Sequence, residues 1–263
     1  MKNINSDNIV FFNALHGPYG EDGNIQKILE NNNFKFTHSN SLSSNLSFDK
    51  FLTKSKIEKL DIPLLNAVKI KKNEVKIDKF LSVYKDFNSF VMKPVCSGSS
   101  YGVKFFNSIE KIENFFQNIS IEIEAYKNHE DILLEKFIQG RELTVAVCNI
   151  SNHLHSLAVT EIISQNSFYD YEAKYVKGMS EHILPAIIPD KIYKDCLNFS
   201  KLIHTELGCK GISRSDFIYD NNKIYFLEIN TQPGLTKTSL VPEQLKYKNI
   251  SFDEFIKNII YLA

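Results

Sequence analysis

Two apolar runs separated by a short polar turn, GISRSDFIYD (211–220) and KIYFLEINTQPG (223–234), constrain this chain's fold more than any other feature. Each run has the composition of a strand, and Asp220, Asn221 and Asn222 are turn formers, so the pair reads as an antiparallel hairpin. Side chains alternate faces along a strand, so Arg214 and Asp216 share a face, as do Glu228 and Asn230. A three-residue turn at 220–222 brings all four to the same side, whereas a two-residue turn splits them. Two readings of the polar end stay open. It is a solvated strand terminus closed by Pro233 and Gly234, or it gathers two carboxylates, an amide oxygen and a guanidinium. Oxygen ligands of the second kind hold Mg²⁺ together with substrate phosphates.

At 263 residues the chain can bury two compact lobes. Its 31 Lys and Arg balance 31 Asp and Glu, which argues against nucleic acid or a membrane surface as partner. No apolar run reaches transmembrane length, and the opening MKNINSDN carries no signal-peptide core. Cys96, Cys148, Cys196 and Cys209 form no C-x-x-C pair, and the histidines form no H-x-x-x-H pair. That usage fits reduced thiols in a cytoplasmic protein without a zinc site.

Along the chain, IVFFNAL (9–15) reads as a buried strand, HGPYGEDG (16–23) as a glycine-rich turn and NIQKILENN (24–32) as a helix. SFDKFLTKSKIEKL (47–60) reads as one helix capped by Ser47. Strands are expected near 64–70, 89–95, 103–106, 131–138, 142–149 and 153–163. Helices are expected near 78–84, 108–118 (starting at Ser108), 190–208 (ending on Gly208), 239–248 and 251–262. No internal repeat interrupts this mixed α and β pattern.

Three further segments carry chemistry. In VMKPVCSGSSYGV (91–103), Lys93 lies in a strand read as buried, where an ammonium needs an anion. The following Ser97, Gly98, Ser99, Ser100 and Gly102 form either an ordinary hairpin loop or a flap whose amides and hydroxyls meet phosphate oxygens. In LLEKFIQGRELTV (133–145), Glu135 and Glu142 flank the Gly140 connection. They are exposed acids beside a turn, or they belong to an inter-lobe segment that offers amides to an adenine edge and an acid to ribose. SFYDYEAKY (167–175) is a packed surface loop, or an aromatic lid whose Lys174 reaches a phosphate. Lysines, a small-residue flap and paired acids together supply the charge neutralisation and alignment that phosphoryl transfer needs.

These segments, with LEINTQPGLTKTSLVP (227–242), resemble the D-alanine–D-alanine ligases of the ATP-grasp superfamily in order and spacing, from about Ile9 to Ala263. The resemblance implies an ATP-grasp fold of the α/β class with α+β lobes. Residues 1–49 would be a shortened N-terminal α/β domain, 50–139 the central lobe and 140–263 the C-terminal lobe. It implies ATP and two Mg²⁺ ions (or Mn²⁺) as cofactors, D-alanine as substrate and a homodimer. Lys50, Lys93 and Lys174 would contact ATP phosphates with the 96–102 loop, Ser100 included, folded over them; Glu135 and the backbone of the following residues, Lys136 and Ile138 included, would hold adenine, Glu142 would hold the ribose, and Phe168 and Leu227 would also bind the nucleotide. Asp216, Glu228 and Asn230 would carry metal, and Arg214 would face the transferring phosphate. Gly234 would give a backbone donor, and His16, Ser239 and Leu240 would hold substrate. Ser99 and Tyr175 would join lid to substrate, Tyr175 favouring D-alanine over D-lactate as acceptor. The reaction implied is ligation of two D-alanines through an acyl phosphate, for peptidoglycan precursors. The alternatives are a D-Ala–D-lactate or D-Ala–D-serine ligase, or an ATP-binding protein with impaired ligation. Two departures stand out. Ser97 replaces the flap's usual acid, and a Gly-Gly-x-Ser-x-Glu loop that the family places before the HG strand has no counterpart. Its glutamate would anchor the first D-alanine's ammonium, so the expectation is a chain that binds Mg·ATP but ligates poorly, with Glu21 as the nearest stand-in.

Overall fold

Residues rich in β-branched and aromatic side chains cluster in two stretches, and each builds its own antiparallel sheet. The computed structural model describes residues 9–98, 102–151, 153–164 and 180–263.

Before the sheets lies a small α/β unit. Strand β1 (Val10–Phe11) pairs in parallel with β2 (Lys35–Phe36), and α1 (Asn24–Asn31) connects them. The buried strand expected over 9–15 is therefore only two residues long. Phe11, Phe12 and Leu15 are exposed, and it is Asn13 that points inward. Its backbone N–H donates to Thr37 Oγ1 and its side-chain amide to the Gly20 carbonyl, so these donors serve the loop rather than a ladder.

The single helix expected over 47–60 is two helices, α2 (Ser41–Phe48) and α3 (Lys50–Ile57). Their caps are Asn40, which accepts from Ser43 N–H, and Asp49, which accepts from Phe51 and Leu52 N–H. Asp49 adopts extended geometry, bridges to Cys96, and so breaks the helix before Lys50. An Asp cap of this kind stabilises a helix by about 1 kcal/mol.

The smaller sheet comprises β3 (Ala67–Lys71), β4 (Phe90–Pro94), β5 (Lys104–Phe106) and β6 (Asp131–Lys136) in the order β3-β6-β4-β5. Between them come α4 (Ile77–Phe87), α5 (Ile109–Gln117) and the single turn α6 (Ile119–Glu122). Ser108 caps α5, as the sequence indicates, by accepting from Lys111 N–H. Phe90, Met92, Ile132 and Leu134 meet Phe80, Ile112 and Phe115 of these helices in one core. The alternate residues Val91, Lys93, Leu133 and Glu135 therefore occupy the opposite face.

The larger sheet comprises β7 (Arg141–Ile150), β8 (His153–Ser164), β9 (Ser180–Ile183), β10 (Ile212–Tyr219) and β11 (Ile224–Asn230), in the order β11-β10-β7-β8-β9. Helix α7 (Asp190–Glu206) packs on one face against Leu143, Val145 and Phe217. Gly208 follows it with φ of +66°, the left-handed conformation that ends helices. Helices α8 (Leu240–Tyr247) and α9 (Phe252–Tyr261) pack around Ala146, Cys148 and Ile212. Ile57 of α3 and Ile62 after it belong to the core of the larger sheet, and Lys50 N–H donates to Val95 just beyond β4. Helix α3 thus spans from one sheet to the other.

The β10–β11 hairpin reaches the expected outcome by another route. Tyr219 pairs with Ile224, so the connection has four residues, an even number that alone would set the acids on opposite faces. A bulge corrects the parity: Phe217 pairs with Phe226 but Asp216 with Glu228, which leaves Leu227 as the extra residue. Arg214 faces Asn230, and all four polar residues share one side.

Candidate active site

Across the larger sheet, Thr144, Asp216 and Glu228 form one row over three adjacent strands. Thr144 Oγ1 donates to Asp216 Oδ1 at 2.5 Å, and the Arg214 guanidinium grips both oxygens of Asp216 at 2.9 and 2.8 Å. Glu228 faces the Lys50 ammonium at 3.3 Å, and Lys50 also donates to the Ser97 carbonyl at 2.6 Å. Asn230 Oδ1 accepts from Gln232 N–H at 2.6 Å, which turns the chain out of the strand.

Two cavities of about 270 and 290 Å³ adjoin this row and share Lys50, Ser97 and Glu228 in their walls. The first holds His16, Arg214, Asn230, Gly234, Ser239 and Leu240. The second lies between the sheets and holds Lys93, Glu135, Lys136, Ile138, Glu142, Asp216 and Leu227. Leu227 and Glu228 are consecutive yet both face this space, because the bulge turns Leu227 inward. Every candidate within the described residues therefore lines one cavity or both. Ser99, Ser100, Phe168, Lys174 and Tyr175 lie outside the described residues.

Glycine is required between β6 and β7, where the chain passes from the smaller sheet to the larger. A Cβ on Gly140 would stand 2.5 Å from the Tyr219 carbonyl oxygen, so β7 can start against the end of β10 only without a side chain there. In the first cavity His16 Nδ1 donates to the Gln232 carbonyl at 3.1 Å and lies 3.6 Å from Glu21. The neighbouring Glu21 carboxylate raises the imidazole's pKa above its ordinary value, against an opposing effect of burial. Glu21 points into the same cavity, as do Thr236 and Thr238.

Behind the second cavity lies a residue the sequence reading does not single out. Lys54, one turn beyond Lys50 on α3, is buried against the Glu135 carboxylate, which is itself 1% exposed. Lys93 takes the other Glu135 oxygen at 2.6 Å. Burial, then the Lys93 charge, push the Lys54 amine below its ordinary pKa, and its Nζ contacts the Glu135 carboxylate. The i, i+4 spacing of Lys50 and Lys54 places both on one helix face and is the signal that could have found it. Gln244 on α8 was also missed. It is buried and reaches Ala146 N–H, the Thr144 carbonyl and Thr160 Oγ1.

No cluster of three His, Cys, Asp or Glu with metal-binding geometry occurs among the described residues. The donor set is instead two carboxylates on a directly paired row, Asp216 and Glu228, with the Asn230 amide on the same face. Such hard oxygen donors, too few to close a shell, fit Mg²⁺ completed by phosphates and water.

The chain matches the family model described as "D-ala D-ala ligase C-terminus" over residues 57–261. It is 40% identical over 252 residues to a D-alanine–D-alanine ligase of Sinorhizobium fredii, covering 94% of this chain and 78% of that one. It is 40% identical over 253 residues to one of Caulobacter vibrioides, covering 95% and 75%. Among solved structures it is similar to D-alanyl-alanine synthetase A of Vibrio cholerae, with a TM-score of 0.85 at 26% identity, over 96% of this chain and 75% of that one. Two antiparallel sheets flanking a lysine-lined cleft are the ATP-grasp fold, and the class is that of ATP-dependent ligases. Within that class the chain belongs to the D-alanine–D-alanine ligase family.

Proposed function

We propose that this protein joins two D-alanine molecules into D-alanyl-D-alanine, converting ATP to ADP and phosphate. The observation that carries the reading is the pair of cavities meeting at Lys50 and Glu228. One is built for a nucleotide, the other for small zwitterions, and they touch where a phosphoryl group would pass. The names of the relatives at about 40% identity favour D-alanine as acceptor over D-lactate or D-serine.

In this reading the second cavity takes ATP. Apolar Val91, Ile138 and Leu227 flank the base, the backbone from Lys136 to Ile138 offers it hydrogen bonds, and Glu142 takes the ribose hydroxyls. Lys50 and Lys93 bring positive charge to the phosphates. Asp216, Glu228 and Asn230 would hold Mg²⁺, which supplies Lewis-acid neutralisation of phosphate oxygens when bound. A carboxylate oxygen of the first D-alanine attacks the γ-phosphorus and ADP leaves, giving an acyl phosphate. The amine of the second D-alanine then attacks the acyl carbon, and phosphate leaves as the peptide bond forms. Arg214, fixed by Asp216, faces the cavity where negative charge develops in both steps. Gly234 and Ser239, at the entry to α8, receive the second substrate's carboxylate. We place the reaction in the cytoplasm, where free cysteines such as Cys96 stay reduced.

The test is an assay of the purified chain with Mg·ATP and D-alanine, with D-serine and D-lactate as competing acceptors. ADP release should depend on D-alanine and match D-alanyl-D-alanine formed. ADP release indifferent to D-alanine, or a mixed product in excess, would overturn the reading.

A further inference from the structure

Leu143, Thr144, Val145, Ala146 and Val147 form the buried middle of β7, and Thr144 is the one polar side chain among them. Valine has nearly the same shape and no hydroxyl to satisfy, so the hydroxyl needs its own account. Burying it costs free energy unless it finds an acceptor. It reaches two: Asp216 Oδ1 at 2.5 Å and, more distantly, the Ser215 carbonyl at 3.4 Å. The carbonyl alone would have made it a strand contact with no bearing on chemistry, but the shorter bond goes to the carboxylate. Thr144 lines neither cavity, whereas Asp216 lines the second.

Among the described residues Asp216 accepts three hydrogen bonds: Oδ1 takes Thr144 Oγ1 and Arg214 Nε, and Oδ2 takes the Arg214 Nη2 group. A carboxylate offers about four acceptor directions, shared evenly between its oxygens. Thr144 therefore closes Oδ1, and the direction that remains is on Oδ2. We propose that Thr144 is a positioning residue for this carboxylate: its hydroxyl holds Oδ1 so that Asp216 presents Oδ2 to a divalent cation. The inference rests on Asp216 being a metal ligand, as in the proposed function. Arg214 alone cannot make this choice, because its bonds fall one on each oxygen and leave both equally open. The hydroxyl is itself held in place. Thr144 pairs with Asp216 of β10 on one side and Thr160 of β8 on the other, and Gln244 Nε2 donates to its carbonyl at 3.2 Å. Partners of this kind, one bond removed from a cation, set the orientation of its ligands.

The experiment measures dissociation constants of the full chain for ADP, once with excess Mg²⁺ and once with EDTA, and follows their ratio. In the unaltered chain Mg²⁺ should tighten ADP. Thr144→Val should cut that gain by roughly tenfold while metal-free ADP changes by less than about twofold, as expected for loss of an orienting partner behind a metal ligand. Thr144→Ser keeps the hydroxyl and should keep the gain. Thr160→Val removes a hydroxyl one strand away that serves Gln244 rather than Asp216, and should leave the gain as it was. In an Asp216→Asn background Thr144→Val should change nothing further. Thr144→Ala carries the same test if Thr144→Val does not fold. An undiminished gain in Thr144→Val, an equal loss in Thr144→Ser or Thr160→Val, or an equal weakening of metal-free ADP would overturn the proposal. No gain from Mg²⁺ in the unaltered chain would instead overturn the metal reading of Asp216, and this inference with it.

Discussion

Among the described acids, Glu228 alone lines both cavities, and its charge is balanced by Lys50 at 3.3 Å. Substituting Glu228→Gln keeps shape and removes charge. The D-alanine-dependent release of ADP should fall by at least about a hundredfold, since a fixed charge aimed at a reacting phosphate carries contributions of that order. Thermal unfolding should barely move, because the side chain is partly exposed and a half-open ion pair contributes under about 1 kcal/mol. A rate within a few-fold of the unaltered protein would show that this carboxylate does no electrostatic work. Glu228 stood out in the sequence because the hairpin pattern sets it on one face with Arg214, Asp216 and Asn230; the strand end taken alone read equally as a solvated terminus. Lys54, Thr144 and Gln244 did not. Their partners, Glu135, Asp216 and Ala146, lie 81, 72 and 98 positions away in the chain, and no local pattern reports such pairings.

At the scale of elements, most strands and helices followed from composition and punctuation, whereas β2, β9 and the breaks inside elements did not. The periodicity of 47–60 continues through Asp49, so one helix was the natural reading. Only the tertiary contacts of Asp49 with Cys96 and of Lys50 with Val95 show why the chain turns there. The hairpin is similar: alternation was legible, but the bulge at Leu227 depends on Phe217 and Phe226 facing the core together. A second bulge, between Val145 and Val147 of β7, takes Ala146 N–H out of the ladder with β8, and Gln244 Oε1 accepts from it at 2.9 Å. Replacing Gln244→Leu strands that donor in a dry core. The expected loss is about 1–3 kcal/mol, a fall in melting temperature of roughly 2–12 °C for a chain of this size. Scanning calorimetry checks it. An unchanged transition would mean that another acceptor takes the Ala146 donor.

Across the whole molecule, two buried histidines make stability depend on pH. His204 on α7 bonds Ser213 Oγ of β10 at 2.7 Å, and His38 bonds Thr37 Oγ1 at 2.8 Å beside Gln232. Burial lowers both imidazoles to about 4, with the His16 charge adding to the effect on His38. The unfolded chain protonates them near 6.5, so it binds more protons than the folded chain between those values. Their contribution is complete above about pH 6.5 and is lost as pH falls toward 4, on the order of 2 kcal/mol per histidine at pH 5. Melting temperature should therefore drop from pH 7.5 to 5, and His204→Gln should flatten part of that slope; an identical slope would rule His204 out as a contributor. Lys50 and Glu228, standing in both walls, have a different consequence for the molecule as a whole. Whatever fills one chamber alters the charge that the other presents to its own guest. Thermodynamic linkage then requires each guest to change the other's affinity by the same factor. The news that one chamber is occupied can thus reach the other through a single salt bridge, with no hinge needed to carry it.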